Sequence, residues 1–532
     1  MRLPYITNMT AASSPKKMLA MLSGLVLTAS FAPLQLDWMA WFALVPLLKS
    51  LEDGSSSRAF SLGFIAGLVH YLTLLYWIIP TLRNYGYLHF LVSASVLILF
   101  CLYLSLYLAL FSYLVHRMKD SRFLFLLIPS LWVSLELIRA TALTGFPWCL
   151  LGYSQFHRLG LIQIADLSGV YGISFLIILS NALIYRLFFA RTPTAKRRLG
   201  WEALGFTVLL LSSLIYGQYR LGEAPDTSAP TSTIKVSVIQ GNIDQSVKWD
   251  PTFQEETILT YRRLTRSASG FKPDLTVWPE TAVPFFFQED QPFSNQVREI
   301  ASEASSTLIF GSPAYRRGPD GTKYFNRVYL LSSGGRISEY YDKHHLVPFG
   351  EYVPLKRFLP FIHRLVQAAG DFTPGKDVKP LGSPHLSSGI LVCFEVIFPG
   401  LARTHTREGA KVLVNLTNDA WFGKTSAPYQ HLSMAVFRAV ENRRPLIRAA
   451  NTGFSALIDP KGKIVERSGL FREQVLVQEI ELAPSSMSVY TQYGHLFPLV
   501  LLTISLIKFF HVLWYSKEVR LEVGGSSRNR KT

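Results

Sequence analysis

Residues 389–395 read Gly-Ile-Leu-Val-Cys-Phe-Glu, a short β-branched apolar run that stops at a cysteine and a carboxylate. A run of this length bounded by turn-forming residues is the pattern of a buried strand. The strand-like runs, this one included, are Ile234–Gln240, Leu275–Trp278, Thr307–Gly311, Arg327–Leu331, Ile390–Phe394, Val412–Leu416 and Leu446–Ala450. Between them, Pro251–Ser267, Asn295–Ser305 and Pro428–Asn442 carry apolar residues at helical spacing. Asp459–Lys463, with its Pro and Gly, reads as a hairpin turn. This alternation predicts a layered α/β domain. Open α/β sheets place their ligands at the C-terminal ends of strands. Three polar residues stand at or just after such ends: Glu280 after Leu-Thr-Val-Trp-Pro, Lys343 within Tyr-Tyr-Asp-Lys-His-His, and Cys393.

Outward from this domain the composition changes. The chain has 532 residues, too many for one ordinary domain, and it is 49% hydrophobic and only 17% charged. Residues 17–217 are dominated by apolar runs, 234–485 read as soluble, and another apolar run lies near 495–515. A membrane span needs roughly 20 mostly apolar residues to cross about 30 Å of hydrocarbon. The candidates are Met18–Pro33, Trp38–Leu51, Ala59–Leu82, Leu88–Val115, Phe123–Leu137, Val170–Phe189, Trp201–Tyr216 and His495–Tyr515, the first two short enough to form a tight helical pair. Lys16 and Lys17 before the first run also suit a signal peptide, but no small-residue cleavage site is clear and further spans follow at once. Gly222–Ser232, rich in Pro, Ser, Thr and Ala, reads as a linker, and Gly524–Thr532 as a disordered tail.

The net charge of +17 invites a nucleic-acid reading. Its distribution excludes that partner, because much of the excess flanks apolar runs. With eight spans, Lys16, Lys17, Arg58, Arg117, Lys119, Arg122, Arg191, Lys196, Arg197, Arg198, Lys517, Arg520, Arg528, Arg530 and Lys531 all fall on one side. The opposite loops hold only Arg83, Arg139 and Arg158. The positive-inside rule puts both termini in the cytoplasm and the soluble domain outside.

A thiol, an ammonium and a carboxylate form a complete acyl-transfer set. The carboxylate takes the thiol proton; the ammonium favours the thiolate and then the oxyanion. Taken singly each residue is ordinary, since a cysteine ending an apolar strand is commonly packed core. The three cysteines, Cys101, Cys149 and Cys393, offer no disulfide framework. His344 and His345 are adjacent, lacking the spacing of zinc motifs, so no metal is expected, and no Gly-rich phosphate loop is present.

The order Glu, Lys, Cys, with W-P-E at 278–280, D-K-H-H-L-V-P-F-G-E-Y-V-P at 342–354 and C-F-E at 393–395, resembles the nitrilase (carbon–nitrogen hydrolase) superfamily. The flanking spans make the chain similar, within that superfamily, to the apolipoprotein N-acyltransferases. Q-G-N-I-D-Q-S-V-K-W at 240–249, N-D-A-W-F-G at 418–423, R-A-V-E-N-R-R-P at 438–445 and R-A-A-N-T-G at 448–453 agree. The family usually has Tyr after the cysteine; here Phe394 keeps the ring and loses the hydroxyl.

The resemblance implies a nitrilase-type αββα sandwich joined to a polytopic α-helical membrane domain of about eight transmembrane helices. Its implied layout is a membrane domain at 1–221 with seven helices, a linker at 222–233 and an extracytoplasmic catalytic domain at 234–487. An eighth helix at 488–516 and a cytoplasmic tail at 517–532 follow, in a bacterial inner membrane. Implied partners are a phospholipid acyl donor and a diacylated apolipoprotein acceptor, with no cofactor. Cys393 would form a thioester, Glu280 would act as base and acid, and Lys343, with the Phe394 N–H, would hold the oxyanion. Glu351 and Glu395 would orient Lys343 or the incoming amine. Trp148, Trp249 and Trp421 are expected to line an apolar entrance, and the apolar stretch 353–370 to form a lid or arm dipping into the interface, or else to pack on the sheet.

Two other readings use the same residues. A membrane-bound amidase or nitrilase-type hydrolase would use water as acceptor, but eight spans are excessive for soluble substrates. A transporter or scaffold with an inert outer domain requires charged residues in the spans, where His70 and Glu136 are the main ones.

Overall fold

The computed structural model describes residues 14–189, 193–223, 232–289, 292–352, 372–382, 386–482 and 486–528. The expected lid at 353–370 lies outside the described residues.

The N-terminal part is helical: α1 (Ser14–Ala29), α2 (Ser56–Leu74), α3 (Ile78–Asn84), α4 (Phe90–Arg117), α5 (Leu124–Thr141), α6 (Val170–Phe189) and α7 (Pro193–Gly222). By length and composition, Phe90–Arg117, Leu124–Thr144, Val170–Phe189 and Arg197–Gly222 suffice to cross a membrane; α2 and α3 form a pair bent by 47° that passes the same test jointly. Eight such helices were expected, and four, or five with the bent pair, are found among the described residues. Helix α1 has 16 residues, about 24 Å at 1.5 Å per residue. The second apolar run divides into a 3-10 turn at Asp37–Trp41 and a short helix at Val45–Ser50. Asp37 is the reason: it is buried and bound by Arg158, Nη2 to Oδ1 at 3.0 Å, an anchor that apolarity alone does not reveal.

Contacts sort the helix ends. Lys16 pairs with Asp53 (3.5 Å), Lys119 donates to the Glu52 carbonyl and Tyr185 to the Glu52 carboxylate, so the basic loops share one end of the bundle. At the other end Asp166 receives Tyr216 and Arg443, and Gln163 donates to the Lys461 carbonyl, joining the bundle to the C-terminal half.

Among the described residues that half has twelve strands: β1 (Thr233–Gln240), β2 (Leu275–Val277), β3 (Thr307–Gly318), β4 (Gly321–Leu331), β5 (Ile337–Asp342), β6 (Leu381–Gly382), β7 (Ser387–Val392), β8 (Val412–Thr417), β9 (Leu446–Ala450), β10 (Ala456–Ile458), β11 (Ile464–Arg467) and β12 (Gln474–Glu481). They form two six-stranded sheets, β12-β1-β2-β3-β4-β5 and β11-β10-β9-β8-β7-β6. The central trios β1-β2-β3 and β7-β8-β9 are parallel, and every other pairing is antiparallel. Val236, Val238, Val277 and Ile309 of one sheet pack against Ile390, Val392, Val414 and Ile447 of the other. Burial on both faces explains why these strands read as continuous apolar runs.

Helices α8 (Gln254–Ser267) and α9 (Pro292–Ala304) cover the first sheet through Ile258, Tyr261, Leu264, Val297 and Ile300. Glu255 and Glu256 in the first turn of α8 suit the positive end of its dipole. Helix α10 (Ala427–Asn442) covers the second sheet, and its Met434, Phe437 and Val440 belong to the same core as the N-terminal helices. The layers are therefore αββα, with one outer layer shared with the helical bundle. The last helix, α11 (Leu496–Arg528), runs into the stretch expected to be a disordered tail.

Candidate active site

Glu280 lies in the turn after β2, Lys343 directly after β5, and Cys393 directly after β7. All three are buried. Strand β2 ends because Pro279 has no N–H to give a neighbour, and the chain then crosses Gly311 of β3. A Cβ on Gly311 would meet the backbone of Glu280 and Thr281, so only glycine admits the turn there. Lys343 is set by register: Arg327 pairs with Asp342 across β4 and β5, and the Lys343 N–H donates to the Asn326 carbonyl at 2.9 Å. Cys393 begins a 3-10 turn with φ +50°, a left-handed conformation that a non-glycine residue adopts at a cost.

The side chains converge on one another. Lys343 Nζ donates to Glu351 Oε1 at 2.9 Å and to Glu280 Oε1 at 3.4 Å. Asn326 Nδ2 donates to the same two oxygens at 2.8 Å each. The other oxygen of Glu280 accepts the Asn418 N–H at 3.0 Å. Burial works against the Lys343 charge, yet Glu351 and Glu280 outweigh it and hold the ammonium well above its ordinary range. For Cys393, burial first and Glu280 second push the thiol up, against the opposing charge of Lys343. Loss of water and the nearby carboxylate thus favour the protonated thiol and outweigh the ammonium.

Glu395 is fully buried and does not reach Lys343 directly. Its Oε1 accepts the N–H groups of His344 (2.7 Å) and His345 (2.9 Å) and the Tyr341 hydroxyl, and its Oε2 accepts the Val392 N–H (2.7 Å). It fastens the Lys343 loop to the Cys393 turn. Burial raises this carboxyl to about 7 against the pull of those donors. Phe394 is half-buried, edge-on to Phe398 at 5.3 Å. Burial lowers His345 to about 4, and its ring packs on Phe398.

The three tryptophans separate. Trp249 is 48% exposed beside the site, and Trp421 packs edge-on against Tyr85 at 5.4 Å. Trp148 is completely buried, donates to Gln430 Oε1 at 2.7 Å and stacks on His431 at 5.5 Å. Trp77 donates to the same Gln430 oxygen. Through this seam α10 seats the two-sheet half on the helical bundle. Behind Cys393, Asp419 is gripped by Arg448 and His431, and Asn415 donates to the Cys393 carbonyl at 3.4 Å. Sequence reasoning missed Asn326, Lys248 and this buried network. Lys248 and Asn418 sit in strings already singled out, whereas Asn326 carries no local signal.

A family model described as "Apolipoprotein N-acyltransferase N-terminal domain" matches residues 23–183, and one described as "Carbon-nitrogen hydrolase" matches 235–485. The fold and site thus define a class: an acyltransferase with a carbon–nitrogen hydrolase domain carried on apolar helices. A protein of Geobacter metallireducens named apolipoprotein N-acyltransferase is 48% identical over 486 residues, covering 90% of this chain and 92% of its own length. One of Chromobacterium violaceum with the same name is 34% identical over 503 residues, covering 92% and 93%. The chain belongs to the apolipoprotein N-acyltransferase family. Among solved structures, a carbon–nitrogen hydrolase of Helicobacter pylori aligns with 50% of this chain and 94% of its own at a TM-score of 0.38 and 19% identity.

Proposed function

We propose that the enzyme moves an acyl chain from a membrane phospholipid, through a thioester on Cys393, to the N-terminal amine of a diacylglyceryl-cysteine apolipoprotein. The observation that carries this reading is the buried thiol under the influence of the Glu280–Lys343–Glu351 cluster, mounted on a bundle of apolar helices. The thiol rests protonated, so Glu280 takes its proton as sulfur attacks the ester carbonyl. Electrons pass to the carbonyl oxygen, where Lys343 and the Phe394 N–H stabilise them. Glu280 then returns the proton to the departing lysophospholipid oxygen. The incoming amine gives a proton to Glu280 as it attacks the thioester carbonyl, the C–S bond breaks as the amide forms, and Glu280 returns that proton to the departing sulfur. Both half-reactions use one site, which makes the kinetics ping-pong.

Both substrates are two-chain or multi-chain lipids that stay in the bilayer, which gives the apolar helices their purpose. Trp249 and Trp421 line the entrance, and Trp148 holds the wall behind it. The test separates transfer from hydrolysis. Labelled phospholipid is incubated with the enzyme in detergent, with and without a diacylated lipopeptide. Label is expected on the peptide amine, with little free fatty acid in its absence. Rapid release of fatty acid with no peptide labelling would favour the amidase-like reading.

The family's bacterial membrane setting and the gathering of Lys16, Lys119 and Tyr185 at one end of the bundle support a cytoplasmic location for that end and for both termini. The catalytic half then faces the periplasm, after seven crossings and before an eighth. A reporter fused near residue 230 is expected to be active only outside the cytoplasm; cytoplasmic activity would overturn the topology.

A further inference from the structure

A second ammonium lies beside the reacting groups. Lys248 belongs to the string at 240–249 and is only 2% exposed, one residue before the half-exposed Trp249. Its Nζ donates to the backbone carbonyl of Glu280 at 3.2 Å. Among the described residues that carbonyl is its sole hydrogen-bond acceptor, and no carboxylate stands within ion-pair distance. A buried ammonium without a paired carboxylate is costly to keep, and such groups collect at functional sites. A structural lysine would be paired or would reach water.

The charge balance of the site gives it a purpose. Glu280 and Glu351 share the single ammonium of Lys343. Two carboxylates against one cation leave the cluster negative, which opposes placing further negative charge on sulfur or on the acyl oxygen. Lys248 restores neutrality from the main-chain side of Glu280. We infer that Lys248 is a further functional residue of the acyl-transfer step, its ammonium held by the Glu280 carbonyl so as to offset the second carboxylate and stabilise the charge that passes from Cys393 to the acyl oxygen. This rests on the reading of Cys393 as nucleophile. In that step the S–H proton goes to Glu280, the S–C bond forms, and the carbonyl pair moves to oxygen. Collapse breaks the ester C–O bond and the leaving oxygen takes the Glu280 proton. Lys248 gives up no proton.

Burial draws Lys248 down to about 8, against the opposing pull of Glu280 and of Cys393 when its sulfur is ionised. These two are the titratable groups that act on it from the packed elements. Lys343 and Glu351 lie beyond Glu280, and Asp419 acts on Cys393 from behind. On its own loop the Lys248 N–H donates to the Asp244 carbonyl, while the Asp244 carboxylate is occupied by Ser246.

The experiment measures single-turnover acylation of the full-length enzyme by a labelled phospholipid, read as acyl adduct by mass spectrometry, from pH 6 to 10. Wild type, Lys248→Met, Lys248→Arg and Cys393→Ala are compared. Wild-type acylation is expected to fall as pH passes about 8, where Lys248 loses its proton. Lys248→Met is expected to be slower by about 100-fold with KM little changed, as for loss of one charge-stabilising donor, and to lack that alkaline decline. Lys248→Arg is expected to keep acylation within about tenfold and to move the decline to higher pH. Arg supplies the pH readout even where the Met variant folds poorly. Lys248→Met within threefold of wild type, or Met and Arg variants equally slow with the wild-type pH profile, overturns the inference. A persistent adduct in Cys393→Ala would instead overturn the nucleophile reading beneath it.

Discussion

Glu280→Gln is expected to slow acyl transfer by about 10⁴-fold, the upper end for loss of a general base, with KM nearly unchanged. The thiol of Cys393 is held protonated by burial and by the adjacent carboxylate, so attack depends on an acceptor for its proton. Gln has the right shape but no basic oxygen. It also turns an NH2 toward a group that Glu280 satisfies as an acceptor, either the Asn418 N–H or the Lys343–Asn326 pair. The acyl adduct should be absent in single turnover, because the block precedes thioester formation. A variant that still forms the adduct at a rate within tenfold of wild type would assign the proton to another group.

Lys343→Met is expected to lose about 10³-fold in rate, as for removal of a charge-stabilising donor, and also to lower stability by about 3–5 kcal/mol, the usual result of removing one member of a buried ion pair. The second effect follows from geometry. Glu280 and Glu351 both bind the Lys343 ammonium and both accept from Asn326. Without the cation the buried Glu280 carboxylate and the half-buried Glu351 carboxylate share only a neutral amide. The double change Lys343→Met with Glu351→Gln removes one of those charges, so it should regain much of the stability and none of the activity. Chemical denaturation and the lipopeptide assay, run on the same preparations, separate the two losses. Recovery of activity in the double variant would contradict the role given to Lys343.

The sheets were largely legible because their central strands are buried on both faces and β-branched. Strand β5, Ile-Ser-Glu-Tyr-Tyr-Asp at 337–342, escaped notice because it is an edge strand whose first four residues are exposed. Strand β12, Gln474–Glu481, is likewise an edge, carrying polar residues among its apolar ones. Cys393 was read as the end of a strand, whereas extended structure stops at Val392 and the cysteine opens a left-handed turn. Positive φ at a non-glycine residue leaves no mark in composition.

The cluster of Glu280, Lys343 and Glu351 was visible from strand ends and from the string at 342–354. Asn326 was not, since its place is set by the β4–β5 register and not by its neighbours in sequence. Glu395 was expected near Lys343 and instead acts through the backbone of His344 and His345. Trp148 was expected at an entrance and lies in the sealed seam against Gln430 and His431. In a membrane-associated chain, lipid-facing and seam-facing aromatics carry the same sequence signal, and only packing tells them apart. The second apolar run failed as a helix for a similar reason, since a buried Asp37 bound to Arg158 directs the chain more strongly than the surrounding apolar residues.

The most direct test is intact mass and peptide mass spectrometry of the enzyme after brief exposure to phospholipid alone, followed by addition of a diacylated lipopeptide. One acyl chain is expected on Cys393, stable until the lipopeptide is added and then found on its N-terminal amine. An acyl chain on any other residue, or transfer that proceeds with Cys393 unmodified and replaceable by Ala, would contradict it.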